Sequence, residues 1–334
     1  MNALNFYKLT KANKINVFEE IQKHVHLPLA SIEKDWWVIQ SLGIVFSLDV
    51  SKHIVFKGGT SLSKAWGLIE RFSEDIDLSL DREFLGFTGN INRTQVGKLR
   101  DASFAYISTY FLSDLKQAFN HIGFDDVNIS LVEVKSPDQD PVIIEISYQA
   151  VTPHTDYLKP KVLLEIGSRS LREPFTTRKF CSLVGEQFAG QVFADDKIKV
   201  PCVNPERSFL EKLFLLHEEF QRPREKIRVD RLSRHLYDIF RIASTPYAKK
   251  AINDPDLYKS IVAHRKRFTK LSGVDYTSHF PPGLQPIPPA ELRPLWEKDY
   301  KTMQKQMIYG ESLPFDKLIE EIQQTVDRIN QMKF

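Results

Sequence analysis

The spacing of apolar side chains is helical at both ends of the chain and alternating in the middle. Across residues 14–24 and 30–47 apolar positions recur every three to four residues, the second stretch carrying Ile32, Trp36, Trp37, Ile39, Leu42, Ile44 and Val45, and two helices are predicted. An apolar run at 54–57 meets Gly58-Gly59-Thr60-Ser61, after which Leu62, Ala65, Trp66 and Ile69 fall at helical spacing. This predicts a turn leading into a short amphipathic helix. Residues 75–80 alternate and predict a strand. The polar stretch GFTGNINRT separates it from a periodic segment over 95–121, with Leu99, Phe104, Ile107, Tyr110, Phe111, Leu115 and Phe119, read as one helix crossing a sheet. Three β-rich runs follow at 127–134, 141–149 and 161–168. They are divided by SPDQDP and TPHTDYLKP, whose prolines and aspartates favour turns. From Asn204 the pattern is helical again through PERSFLEKLFLLHEEF, RLSRHLYDIFRIA and LYKSIVAHRKRF. The proline-rich loop HFPPGLQPIPPAELRP then leads to a final helix or helix pair over 295–332. No internal repeat is evident.

This order predicts an α/β (α+β) protein of two domains. Residues 1–195 would form N-terminal helices and a sheet-based core, and residues 196–334 a mostly helical domain. With 334 residues, 42% of them hydrophobic, the chain can bury two cores of ordinary size. It offers no signal peptide and no run of about eighteen apolar residues, so a cytoplasmic protein without a membrane span is expected. Cys181 and Cys202 lack CxxC spacing and are read as incidental thiols. The net charge of +3 is unevenly spread. RPREKIRVDRLSRH (222–235) has six Lys or Arg against two acids, and HRKRFTK (264–270) has four against none. Arg231, Arg234, Arg265 and Arg267 in these runs are candidates for RNA phosphate contacts, the alternative being a solvated helix surface.

The chemistry concentrates in two motifs. Gly58 and Gly59 let backbone amides approach a phosphate where a Cβ would intrude, Thr60 and Ser61 add hydroxyls, and the following helix presents its positive end. Asp75 and Asp77, one residue apart on a strand, emerge on one face while Ile76 and Leu78 enter the core. Paired carboxylates suit Mg²⁺, a hard cation that takes oxygen ligands and keeps room for substrate phosphates. A third carboxylate would permit two ions roughly 3.5 to 4 Å apart. Glu145 and Glu165 each stand in an apolar strand. Glu165 is favoured because Gly167 and Arg169 after it read as a strand end opening into a polar site, and a buried ion pair is the alternative for both. Sixteen positions separate Gly59 from Asp75, and this order resembles a polymerase-β-like nucleotidyltransferase core. GxxxxGK[ST] is absent, as is any recognisable hydrolase nucleophile arrangement.

The chain further resembles the AbiEii/AbiGii-type nucleotidyltransferase toxins of type IV toxin–antitoxin, abortive-infection systems. IEKDWWV (32–38), FKGGTSLSKAW (56–66), RFSEDIDL (71–78), KPKVLLEIGSR (159–169), FLEKLFLLH (209–217), LSRHLYDI (232–239) and WEKDYKTMQKQMIYG (296–310) carry the likeness. The resemblance implies that Gly58, Gly59, Thr60 and Ser61 hold phosphate and that Lys64, Arg71 and Ser73 line the nucleotide site. It implies that Asp75 and Asp77 carry magnesium, that Lys212 neutralises triphosphate charge, and that Asp238 orients Lys212 or a nearby arginine. Arg234 would contact phosphate or RNA. His217 and His235 are read as hydrogen-bonded helix histidines and Trp36 and Trp37 as core.

The expected function is transfer of a nucleoside monophosphate from an NTP to an RNA acceptor, organised by Asp75, Asp77 and Glu165. The resemblance implies the tRNA 3′ end as acceptor, with translation blocked and a cognate antitoxin limiting the activity. The alternatives are a protein nucleotidyltransferase or kinase-like enzyme, and a noncatalytic NTP- or RNA-binding regulator.

Overall fold

The alternating runs become strands because one face of each can be buried while the other stays polar. The computed structural model describes residues 3–133, 139–154, 158–169, 174–269 and 271–333. Val134 at the end of the 127–134 run, parts of the SPDQDP and TPHTDYLKP turns (136–138 and 155–157) and Lys270 lie outside the described residues. Contacts divide the chain into two compact units, Met1–Trp66 with Phe72–Val203, and Gly67–Arg71 with Asn204–Phe334. The chain therefore passes between units three times, because five residues after the glycine motif belong to the second unit.

Among the described residues the first unit is built on a seven-stranded mixed sheet. Its strands are β1 (Ile54–Lys57), β2 (Asp75–Leu80), β3 (Asn128–Leu131), β4 (Val142–Ser147), β5 (Lys161–Gly167), β6 (Phe175–Phe180) and β7 (Ile198–Val203). Their order is β3-β4-β5-β2-β1-β7-β6. β2 lies at the centre, antiparallel to β1 and parallel to β5. Ile76 and Leu78 of β2, Leu164 and Ile166 of β5, and Ile144 and Ile146 of β4 are fully buried.

The helix Leu29–Val45 packs on β5 and β2 and is covered by the helices Lys11–Gln22 and Leu112–Ile122. Trp36 and Trp37 meet edge to face at 4.9 Å, and Trp37 stacks on Tyr148 at 4.9 Å, so this pair is core, as expected.

Three features depart from the sequence reading. The helical segment after the glycines, Gly58–Thr60 continuing as a wide π-type turn over Ser61–Ala65, stops at Ala65. Gly67, with φ +61, turns the chain away, and Ile69 is buried in the second unit. The predicted helix over 95–121 is Arg93–Tyr106 and Leu112–Ile122 joined by a π-type turn at Ile107–Phe111. Its buried stripe steps by four through Leu99, Ser103, Ile107, Phe111, Leu115 and Phe119, a step that the wide turn sustains. Tyr110 falls off the stripe and is 69% exposed. Finally, β6 and β7 were not foreseen. β6 is an edge strand with exposed Thr176, Thr177 and Lys179, and β7 contains Pro201, a residue that argues against a strand in sequence. Pro201 sits opposite Thr177 of β6, and β7 meets β1 in register at Cys202.

The second unit is helical. Pro205–Phe220, buried on nearly every side, packs against Ser233–Ala243, Pro246–Ile252 and Pro255–Phe268. Ser233–Ala243 packs in turn on Arg293–Gln306 and Phe315–Asn330, so the predicted C-terminal stretch is a pair of helices. Proline stands in the first turn of Pro205–Phe220, Pro246–Ile252 and Pro255–Phe268, where its missing N–H is not needed. The short segment Gly67–Arg71 is tied in by a bridge between Arg71 and Ile308. The Glu70 carbonyl also accepts from the Tyr309 and Gly310 amides at 3.0 and 3.2 Å.

Buried polar groups at the end of Pro205–Phe220 are mutually satisfied. Glu218 accepts from Arg265 at 2.6 Å and lies 3.2 Å from His279. Glu219 pairs with Arg228 at 2.6 Å and Arg222 at 2.9 Å. His217 Nδ1 accepts from the Gln285 amide at 2.9 Å, and Nε2 meets the Ser278 hydroxyl at 2.9 Å. Burial, and after it the neighbouring His279, lowers the His217 pKa to about 4. The unfolded chain takes up this proton near its ordinary value of 6.5, whereas the folded chain resists it. The contribution is therefore complete above pH 6.5 and is lost as pH falls toward 4. His217→Gln, which retains an acceptor and a donor, is expected to flatten the decline of urea midpoint between pH 7 and pH 4.5 relative to the parent protein.

Candidate active site

The first unit brings the glycine motif and the acidic strand into direct register. Gly58 has φ +79, and a Cβ built on it would lie 1.7 Å from Asp77 Oδ2 and 2.6 Å from Asp77 Cγ. The Asp77 carboxylate thus occupies the space that only glycine leaves. Thr60 is buried and donates its hydroxyl to the Asp75 carbonyl at 2.5 Å, pinning the first helical turn to β2. Its hydroxyl is engaged with the protein, while Gly58 and Gly59 keep backbone groups at the half-buried start of that turn. Ser61 is buried behind it and Ser73 is half-buried just before β2.

Across the sheet Asp77 is the register partner of Lys57 on β1 and of Glu165 on β5, and Asp75 of Leu163. Asp75, Asp77 and Glu165 are all half-buried on the polar face. Glu145 lies one strand further out, opposite Leu163. Its carboxylate is held by Lys161 at 2.5 Å and accepts from the Ser147 hydroxyl at 2.8 Å. Glu165, rather than Glu145, therefore shares the position of Asp77.

In the second unit three residues named from sequence form one buried ionic cluster. Asp238 is fully buried and accepts from Arg71 Nε at 2.7 Å, Arg71 Nη2 at 2.8 Å and Lys212 Nζ at 2.8 Å. Burial by itself would raise the Asp238 pKa. Arg71 and then Lys212 outweigh it and hold the carboxyl well below the usual carboxylate range.

A family model described as "Nucleotidyl transferase AbiEii toxin, Type IV TA system" matches residues 47–325. The chain belongs to the AbiEii nucleotidyltransferase toxin family. It is accordingly a nucleotidyltransferase, and the type IV toxin–antitoxin assignment carries with it an NTP substrate and an antitoxin partner. No curated protein matches it. Solved structures similar to this AbiEii-family chain include JHP933 from Helicobacter pylori, at 16% identity and a TM-score of 0.42, covering 91% of this chain and 94% of that one. The MenT4 nucleotidyltransferase toxin of Mycobacterium tuberculosis H37Rv has 17% identity and a TM-score of 0.43 over 97% and 100% of the two chains. A putative nucleotidyltransferase from H. pylori has 16% identity and a TM-score of 0.43 over 89% and 93%. Among the described residues no helix is long and apolar enough to cross a membrane.

Around the AbiEii-family glycine and aspartate motifs lies a buried support that the sequence reading did not isolate. Glu33, Lys34 and Asp35, consecutive on Leu29–Val45, are each at most 5% exposed. Glu33 accepts from the Val151 and Thr152 amides at 2.8 and 3.0 Å. Lys34 pairs with Glu74, the residue before Asp75, and donates to the Lys159 carbonyl at 3.2 Å. Asp35 holds Lys64 at 3.0 Å and accepts from the Leu183 amide at 2.7 Å, so Lys64 is turned toward this buried carboxylate. Three charges in a row inside an otherwise apolar helix are a legible signal, since such charges are tolerated only when paired. Asp140, read from sequence only as part of a turn, lies beside Gly167 at the end of β5 and pairs with Arg169 at 2.8 Å. Burial raises its pKa despite Arg169.

The four arginines named for RNA differ in setting. Arg265 is committed to buried Glu218 at 2.6 Å, which corrects its reading as a surface phosphate contact. Arg231, in a left-handed conformation with φ 59, and Arg234 are half-buried, whereas Arg267 is exposed. His235 is kept neutral by burial, which lowers its pKa well below the ordinary value.

The residues present fit magnesium. Two half-buried carboxylates share a face and a third stands beside one of them in register, an oxygen-only donor set beside backbone that a phosphate can approach. Among the described residues no three His, Cys, Asp or Glu side chains are gathered closely enough to hold a metal ion by themselves.

Gly58→Ala is expected to cut nucleotidyl transfer at least ~10²-fold by displacing Asp77, with far-UV circular dichroism unchanged. Asp238→Ala strands two buried cations and is expected to lower the unfolding free energy in urea by about 3–5 kcal/mol.

Proposed function

We propose that this nucleotidyltransferase transfers a nucleoside monophosphate from an NTP to the 3′ end of tRNA in a Mg²⁺-dependent reaction, acting as a cytoplasmic toxin limited by a cognate antitoxin. The observation that carries the reading is the contact of Gly58 with Asp77 and the register of Asp77 with Glu165, which join a phosphate-approaching turn to a carboxylate face.

In the proposed reaction the terminal ribose hydroxyl oxygen bonds to the α-phosphorus, the bond from that phosphorus to pyrophosphate breaks, and the hydroxyl proton passes to solvent. Magnesium, when bound, would supply positive charge at the α-phosphate and favour the alkoxide form of the attacking hydroxyl. Asp75, Asp77 and Glu165 would hold it. Gly58 and Gly59 present backbone amides to the triphosphate at the start of a helical turn, and Thr60 fixes that turn against β2. In the second unit Asp238 fixes where the Lys212 ammonium and the Arg71 guanidinium stand.

Incubation of the purified protein with total RNA, Mg²⁺ and each α-radiolabelled NTP tests this directly. Label is expected in a tRNA-sized band, abolished by EDTA and reduced at least ~10²-fold in Asp75→Ala and Asp77→Ala. Glu165→Gln is expected to cost more activity than Glu145→Gln, and the reverse order would move the third carboxylate to β4. Label on protein would identify a protein nucleotidyltransferase, and nucleotide binding without pyrophosphate release a noncatalytic regulator.

A further inference from the structure

The helix Arg293–Gln306 has two unlike faces. Trp296, Tyr300 and Met303 are buried, Trp296 against Phe220 at 5.0 Å and Tyr300 beside Phe315, so the helix is fixed rigidly in its unit. The opposite face carries Lys298, Lys301 and Lys305, all exposed, at the i, i+3, i+7 spacing that puts side chains on one line. With Pro294, Glu297 and Thr302 they line a shallow concavity of about 360 Å³. Among the described residues no carboxylate stands within ion-pairing distance of Lys298 or Lys305. Lys301 has only an exposed partner, Glu297, at 2.6 Å, and an exposed pair of this kind is readily exchanged.

The acid next round the helix is withdrawn from this face. Asp299 accepts from the Arg231 and Ser233 amides at 2.8 and 3.0 Å, and so draws the 222–235 basic run up to the same helix. In the two basic runs, Arg222 and Arg228 pair with Glu219 and Arg265 with Glu218.

We propose that the Lys298–Lys301–Lys305 face is where the phosphate backbone of the RNA acceptor binds. This assignment rests on the RNA reading of the function. The lysines rise about 10 Å along the helix axis, enough to follow several successive phosphates of one strand. They contact backbone and not base edges, so the surface contributes affinity and positioning without sequence choice. Three arginines of the runs that stand out in the sequence, Arg222, Arg228 and Arg265, are paired within the protein, whereas the lysine line is exposed on a helix held by its other face.

The test compares the full-length parent with Lys298→Ala/Lys301→Ala/Lys305→Ala. A matched control is Lys11→Ala/Lys116→Ala/Lys179→Ala, which removes the same charge from exposed positions. Binding of deacylated tRNA is followed by fluorescence anisotropy from 50 to 200 mM salt, and transfer kinetics are measured against tRNA and NTP separately. For the 298/301/305 variant we expect an unchanged thermal midpoint, about 10- to 100-fold weaker tRNA binding and a salt slope shallower by about 2. KM should rise for tRNA and stay constant for NTP, with the control close to the parent. A parent that labels tRNA alongside a 298/301/305 variant with unchanged KM and slope, or a control equally impaired, overturns the surface assignment alone. A parent that neither binds nor labels RNA overturns the RNA reading and the surface with it.

Discussion

The polar face of the first unit depends on one exclusion of volume: the carboxylate of Asp77 lies where any residue other than glycine at position 58 would place its Cβ, 1.7 Å away. That contact sets how close β1 and the following turn can come to β2. The Thr60 hydroxyl on the Asp75 carbonyl fastens the same approach from the other side. Once β2 is fixed, its parallel pairing with β5 decides which glutamate faces Asp77. Glu165 does so by register, while Glu145 is spoken for by Lys161.

Much of this was legible in the chain. Alternation in DIDLSL, VIIEIS and KVLLEIG marks strands because each must bury one face, and the i, i+2 spacing of the two aspartates follows from the same geometry. The illegible parts have physical reasons. β7 carries a proline and β6 has no clean alternation, since it is an edge strand with a wet face. The stop at Ala65 depends on Gly67 and on the contacts of Glu70 and Arg71 just after it, which is information held far away at residues 308–310. The wide turn at 107–111 keeps a step of four in line, so a regular helical count put Tyr110 on the wrong side.

Charge was the least readable property. A basic run looks like a surface for an anion when its acids are sought only nearby in sequence. Here Glu218 and Glu219, consecutive at the end of one helix, answer arginines three to forty-seven positions away. Conversely, Glu33, Lys34 and Asp35 sit in an apolar helix and are a buried junction whose partners, Val151, Thr152, Glu74, Lys159, Lys64 and Leu183, are all distant in sequence. In both cases burial, not local sequence, decides whether a charge is a ligand for the outside or a fastening for the inside.

The five residues Gly67–Arg71 carry a consequence of another kind. They are inserted between the glycine motif and the acidic strand, yet their packing partners are Tyr309, Gly310, Arg241 and Asp238. No single cut in the chain therefore separates a self-sufficient catalytic module from a self-sufficient helical one. A fragment ending at Val203 would keep Ile69 and Arg71 with nothing to receive them. A cut at Val203 divides those five residues from the atoms they bond.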